Sequence, residues 1–165
     1  MEYCITVYVE TFVPGPPFRV PEPVPTSWGL AWRPDEEGRF FWPGGLCVLP
    51  VEPSPFLTVR LPPSLQSVPW QALFLNGAEG LGDFEQRVNR TEDEDESADI
   101  ARHPLLLLLQ ELLAGQRRWA VFFTYDCDDI ARDYQWPLDA LPQIVIEAYR
   151  YHNAQHRGFS CCDGA

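Results

Sequence analysis

No lysine occurs anywhere in this chain, and all 12 of its basic residues are arginine. That absence removes several chemistries at once. A P-loop lysine, a Schiff-base lysine and the ATP-pairing lysine of a kinase all need a side chain that is not present. Positive charge is scarce as well, and against 24 acids it leaves a formal net charge of −12. So acidic a chain offers no attractive field to DNA, RNA or an anionic membrane. The expected partner is a basic protein, or one that carries no charge of consequence. Long apolar runs are also missing. No run, residues 105–109 and 119–125 included, approaches the ~20 residues a membrane span needs, and the first ten residues lack the basic and apolar regions of a signal peptide. Cysteines are odd in number, at Cys4, Cys47, Cys127, Cys161 and Cys162, in a chain large enough not to need covalent staples. Reduced thiols and a cytoplasmic location are the expectation.

What is present is a folding composition. The 165 residues are 45% apolar, with six Trp, ten Phe and six Tyr, enough for one ordinary core and too few for two comfortable domains. The chain changes character near residue 70, since 14 of its 17 prolines fall at or before Pro69. Residues 1–69 therefore read as strands, turns and extended connections. Residues 3–9 alternate, with Tyr3, Ile5, Val7 and Val9 on one face, which predicts a half-buried strand. Residues 14–25 hold six prolines and read as an extended connection. Aromatic segments at 28–32 and 39–42 flank an acid-rich turn at 34–38, a hairpin pattern in which Trp28, Trp32, Phe40 and Trp42 pair across strands. Residues 46–51 and 56–61 are expected as two further short strands.

Residues 70–102 are ambiguous. The segment 70–75 fits strand or helix, 77–82 reads as a flexible turn, and 84–88 suggests a short helix before an acidic run. Residues 103–157 are clearer and predict helix, strand, helix. Pro104 suits a first helical turn and Gly115 a stop. Leu105, Leu106, Leu108, Leu109, Leu112 and Leu113 share one broad arc, while Leu107 falls on the opposite side, either packed there or offered to a partner. Residues 119–125 are continuously apolar, which fits a central strand covered on both faces. Leu141, Ile144, Val145, Ala148, Tyr149 and His152 keep helical spacing. Residues 158–165 read as a tail. The fold class is α+β, a mainly antiparallel sheet from the Pro-rich part plus a central strand near 118–125, with two or three helices packed on one face.

Two patterns carry potential chemistry. Residues 122–129 end an apolar strand in Asp126-Cys127-Asp128-Asp129. Over these eight residues the chain resembles the haloacid-dehalogenase-type phosphotransferases, whose Asp-x-Asp supplies a nucleophile and a Mg²⁺ ligand. The resemblance implies those roles for Asp126 and Asp128; Ile130 stands where that motif has Thr, and the family's later lysine has no counterpart. The second pattern is His152-x3-His156 followed by Cys161 and Cys162. Histidines at i and i+4 share a helix face, and a trailing thiolate would complete a tetrahedral zinc site. His152 also lies on the apolar stripe, where a structural histidine is the commoner outcome. No nucleophile elbow or dinucleotide fingerprint is present, and the acidic run lacks the glycine and spacing of an EF-hand loop.

The expectation for function follows from charge. Glu92, Asp93, Glu94, Asp95, Glu96 and Asp99 crowd six acids into eight residues, and Asp126, Asp128 and Asp129 form a second group. Clustered carboxylates can stand in for nucleic-acid phosphates and steer association with Arg/Lys-rich surfaces. The chain therefore reads as a small, acidic, non-enzymatic protein-binding module needing no cofactor. Its most concrete form is an immunity or inhibitor protein that neutralises a basic toxin or nuclease by occluding its active site. The alternatives are a viral regulator that binds a host protein and a metal-dependent hydrolase or phosphatase centred on Asp126 and Asp128.

Overall fold

The alternating first segment becomes the middle of the sheet. The computed structural model describes residues 4–10, 40–42, 46–76, 78–90, 100–114, 116–124, 130–153 and 155–163. Among these residues seven strands form one sheet: β1 (Cys4–Glu10), β2 (Phe40–Trp42), β3 (Leu46–Val51), β4 (Gln71–Asn76), β5 (Arg118–Thr124), β6 (Ile130–Trp136) and β7 (Gly158–Asp163), in the order β2-β3-β4-β1-β5-β7-β6. Every neighbouring pair is antiparallel except β6 with β7. β1 lies between β4 and β5, with Val7 opposite both Leu73 and Val121. The Pro-rich connection at 14–25, the strand and turn at 28–38, the acidic run at 92–99 and residues 126–129 lie outside the described residues.

Two layers cover the sheet. On one face Ile5, Val7, Val9, Val121 and Phe123 pack against α3 (Ala78–Arg90), α4 (Pro104–Leu113) and α5 (Leu141–Asn153). These are the helices expected on one face of an α+β domain. The leucine arc of α4 is buried throughout, and each such side chain contributes roughly 1.5–3 kcal/mol on leaving water. Arg150 Nε donates to the Val88 carbonyl at 3.0 Å, joining α5 to α3.

The other face holds a smaller core of Tyr8, Trp70, Ala120, Phe122 and Cys162 under two single-turn helices, α1 (Pro55–Thr58) and α2 (Pro63–Gln66). The Tyr8 hydroxyl donates to the Ser54 carbonyl at 2.9 Å, and the Trp70 indole to that of Leu65 at 2.9 Å. β1, expected to be half-buried, is consequently covered on both faces.

Three expectations are corrected. Residues 56–61 form no strand. Pro55 takes the first helical turn, Leu57 and Leu61 turn inward four residues apart, and Phe56 is left 69% exposed, which is helical rather than strand periodicity. The glycine-rich segment 78–82 is no turn but the first part of α3, because burial of Phe84 and Val88 on the core face outweighs the low helix propensity of glycine. The tail expected after residue 157 is β7, an interior strand with Phe159, Ser160, Cys161 and Cys162 all buried. β6 and β7 are joined through α5, the crossover that a parallel pair requires.

Candidate functional site

The two buried histidines, His103 and His152, each have a structural partner, and that decides what they can do. His103 sits just before α4, where its Nδ1 accepts from the Leu105 N–H at 3.1 Å and so caps the helix. The proton therefore resides on Nε2, which donates to Asp83 Oδ2 at 2.8 Å. Burial pushes the His103 pKa below its usual value, partly opposed by Asp83. Hydrogen bonding to His103 in turn holds the Asp83 carboxyl low, with Arg87 assisting at 3.2 Å. With both ring nitrogens engaged, His103 is a helix cap rather than an acid–base pair.

The proposed zinc ligands His152, His156 and Cys161 do not converge. α5 ends at Asn153, and His156 follows in the exposed turn with φ at 53°, so the two histidines do not share a helix face. His152 Nε2 is engaged with the Tyr134 hydroxyl at 2.9 Å, and its ring stacks on Phe159. Its Nδ1 is buried without a hydrogen-bond partner, and burial lowers its pKa. Cys161 faces the larger core, where burial drives its thiol far above the ordinary range, so no thiolate is on offer. Among the described residues no three His, Cys, Asp or Glu side chains are placed to hold a metal ion.

Exposed chemistry gathers instead along β6, which the sequence gives little reason to expect. Its strand alternation sends Arg132, Tyr134 and Trp136 to one face, where they meet Ile144, Glu147 and Tyr151 of α5 around a groove of about 330 Å³. Trp136 is 52% exposed and Tyr151 63%. The Arg132 guanidinium lies over the Tyr134 ring, 4.5 Å from its centroid. Buried behind this ring, His152 fixes the Tyr134 hydroxyl.

On its other face β6 carries Asp133 and Gln135. Asp133 accepts from the buried Ser160 hydroxyl at 2.6 Å and from the Cys162 thiol at 3.2 Å. Beside them a cleft of about 380 Å³ is lined by Arg117, Arg118, Gln135 and Asp163 under Ser64 and Leu65 of α2. Glu10 stands behind Arg118, with Oε2 3.5 Å from its Nε. Two cations are matched by Glu10 and Asp163, so this cleft has no net charge with which to select an anion.

The sequence-predicted partner-binding residues Glu92, Asp93, Glu94, Asp95, Glu96, Asp99, Asp126, Asp128 and Asp129 lie outside the described residues. β5 ends at Thr124, two residues before Asp126, and both its neighbours run antiparallel to it. It therefore lacks the parallel-sheet rim at which α/β folds usually collect ligands. The groove residues were missed because Asp133 and Gln135 break any apolar pattern; the alternation of Arg132, Tyr134 and Trp136 was the available signal. No helix among the described residues is long and apolar enough to cross a membrane. No protein-family model, curated protein or solved structure matches the chain.

Proposed function

We propose that this chain is a protein-binding module whose partner is basic, in its most concrete form an immunity or inhibitor protein that occludes the active site of a toxin or nuclease. The observation that carries the binding reading is the pair of large aromatic side chains, Trp136 on the outer strand β6 and Tyr151 on α5, exposed around one groove. Exposed aromatics clustered in a shallow groove are the usual anchors of protein interfaces. The charge supports the choice of partner. A net −12 with no lysine speeds encounter with a basic surface and disfavours anionic ones.

The neighbouring gene supplies the experiment. Where it encodes a toxin, co-expression of this chain restores growth to cells making that toxin, and the purified pair co-elutes. A neighbour of metabolic role that does not associate overturns the immunity reading. The rival hydrolase has its own signature. A rise in melting temperature with Mg²⁺ or Mn²⁺ that disappears on replacing Asp126 and Asp128 by Asn would move the assignment to a metal-dependent enzyme.

A further inference from the structure

The two ends of the sheet are unequal. Among the described residues β2 forms one end with only three residues, a short edge that offers little backbone for further pairing. β6, at the opposite end, has seven residues and pairs among the described residues only with β7. Lysines commonly guard such an edge, and this chain has none. A register irregularity between Ile130 and Asp133 disturbs the start of β6, whereas pairing from Asp133 to Trp136 is regular. These four residues leave roughly 13 Å of edge that contains no proline.

The groove runs along this edge. The row Arg132, Tyr134 and Trp136 on β6 faces the row Ile144, Glu147 and Tyr151 on α5. A volume of about 330 Å³ admits one or two side chains, not a helix some 10–12 Å across. An extended segment alongside β6 could direct alternate side chains into it. The charges also discriminate. Arg132 is drawn over the Tyr134 ring, while Glu147 at the groove and Asp139 just beyond β6 are both exposed.

From this we infer that the Asp133–Trp136 edge of β6 takes an extended segment of a basic partner as an added strand. An apolar side chain of that segment seats between Trp136 and Tyr151, and a cationic one sits at Glu147. The inference rests on the binding-module reading and gives it a mode, in which backbone pairing supplies affinity and the groove supplies selection.

The probe is a synthetic decapeptide alternating valine and arginine, compared with one alternating valine and glutamate and with one holding the same valines and arginines in two blocks. Hydrogen exchange read along the intact chain should slow at residues 133–136 with the alternating basic peptide alone. Replacing Trp136 and Tyr151 together by Ala should weaken its binding about tenfold or more, as expected for aromatic anchors, without altering net charge. Glu147→Arg should weaken it further. Both aromatics are exposed, so an unchanged melting temperature establishes that the double variant is folded. Equal binding of the block peptide, unchanged exchange at 133–136, or indifference to the aromatic replacements overturns strand addition. In those cases co-elution with the neighbouring gene product still decides the binding-module reading separately. Loss of both results removes the two together.

Discussion

His103 couples a helix end to a carboxylate through one ring, and each half can be removed by itself. His103→Ala deletes the cap on α4 and the edge-on contact with Phe84, whose centroid lies 5.2 Å away. The combined cost should be about 2 kcal/mol. His103→Asn keeps an oxygen able to cap the helix and should recover about 1 kcal/mol of that. Urea unfolding of the three proteins checks the order. The two buried histidines also set a pH dependence. Burial holds His103 and His152 below the ordinary imidazole value of 6.5. As pH falls past that value the unfolded chain binds more protons than the native one, so stability is full above it and declines on acidification. The lowered pKa of Asp83 adds a further loss once its carboxylate begins to protonate, below about 3.8. Denaturation midpoints should fall between pH 7 and about pH 5, and His152→Phe should flatten part of that slope. An unchanged midpoint would mean that neither imidazole resists protonation in the native state.

α4 turns its composition into a graded set of costs. Leu106 and Leu108 are fully buried, whereas Leu107 between them is 41% exposed on the outer side. Leu106→Ala or Leu108→Ala should each cost about 2–5 kcal/mol, and Leu107→Ala less than about 1 kcal/mol. Equal losses across the three would mean that something covers the outer face of the helix. β6 has a different dependence. Its inner face is held through Asp133, which accepts from the buried Ser160 hydroxyl. Asp133→Ala leaves that hydroxyl unpaired and should cost about 1–3 kcal/mol, while Asp133→Asn retains an acceptor and should cost less. Thermal melts at neutral pH separate the two. The leucine arc of α4, the apolar run of β5 and the spacing in α5 were all legible, because burial on one face or on both leaves a period in the sequence. β6 left only the alternation of Arg132, Tyr134 and Trp136 and β7 left none, since each mixes small, polar and aromatic residues whose burial depends on a neighbour remote in the chain.

For the molecule as a whole, charge and thiols make separate forecasts. Cys161 and Cys162 are buried on opposite faces of β7 as free thiols, and Cys4 is exposed at the start of β1. Melting with and without reductant should agree, and alkylation of the native protein should label Cys4 well before Cys161 or Cys162. A large loss of stability on reduction would establish a disulfide and overturn the expectation of reduced thiols. The net −12 acts at longer range. Neutralising Glu92, Asp93, Glu94, Asp95 and Glu96 should slow association with a basic partner, and the difference should shrink from low to physiological salt, where screening acts over ~8–10 Å. The melting temperature of the isolated protein should hold or rise slightly as self-repulsion is relieved. An association rate indifferent to both changes would take the acidic run out of the interface.

The sequence by itself determined the α+β class, the central place of residues 118–124, the helices α4 and α5, and the net acidity. Each is a local or additive property: periodicity follows from backbone geometry, and net charge is a sum over residues. Only the tertiary structure decided that residues 78–82 are helical, that 55–58 form a turn of helix, and that 158–163 form an interior strand. It alone dissolved the zinc set, because the distance between His152, His156 and Cys161 depends on where α5 stops and which way β7 returns. It alone assembled the groove, since Trp136 and Tyr151 meet only when the crossover through α5 lays that helix along β6. Those are contacts between segments that carry no mark of one another, and their energy comes from burial that exists only after the chain has closed on itself.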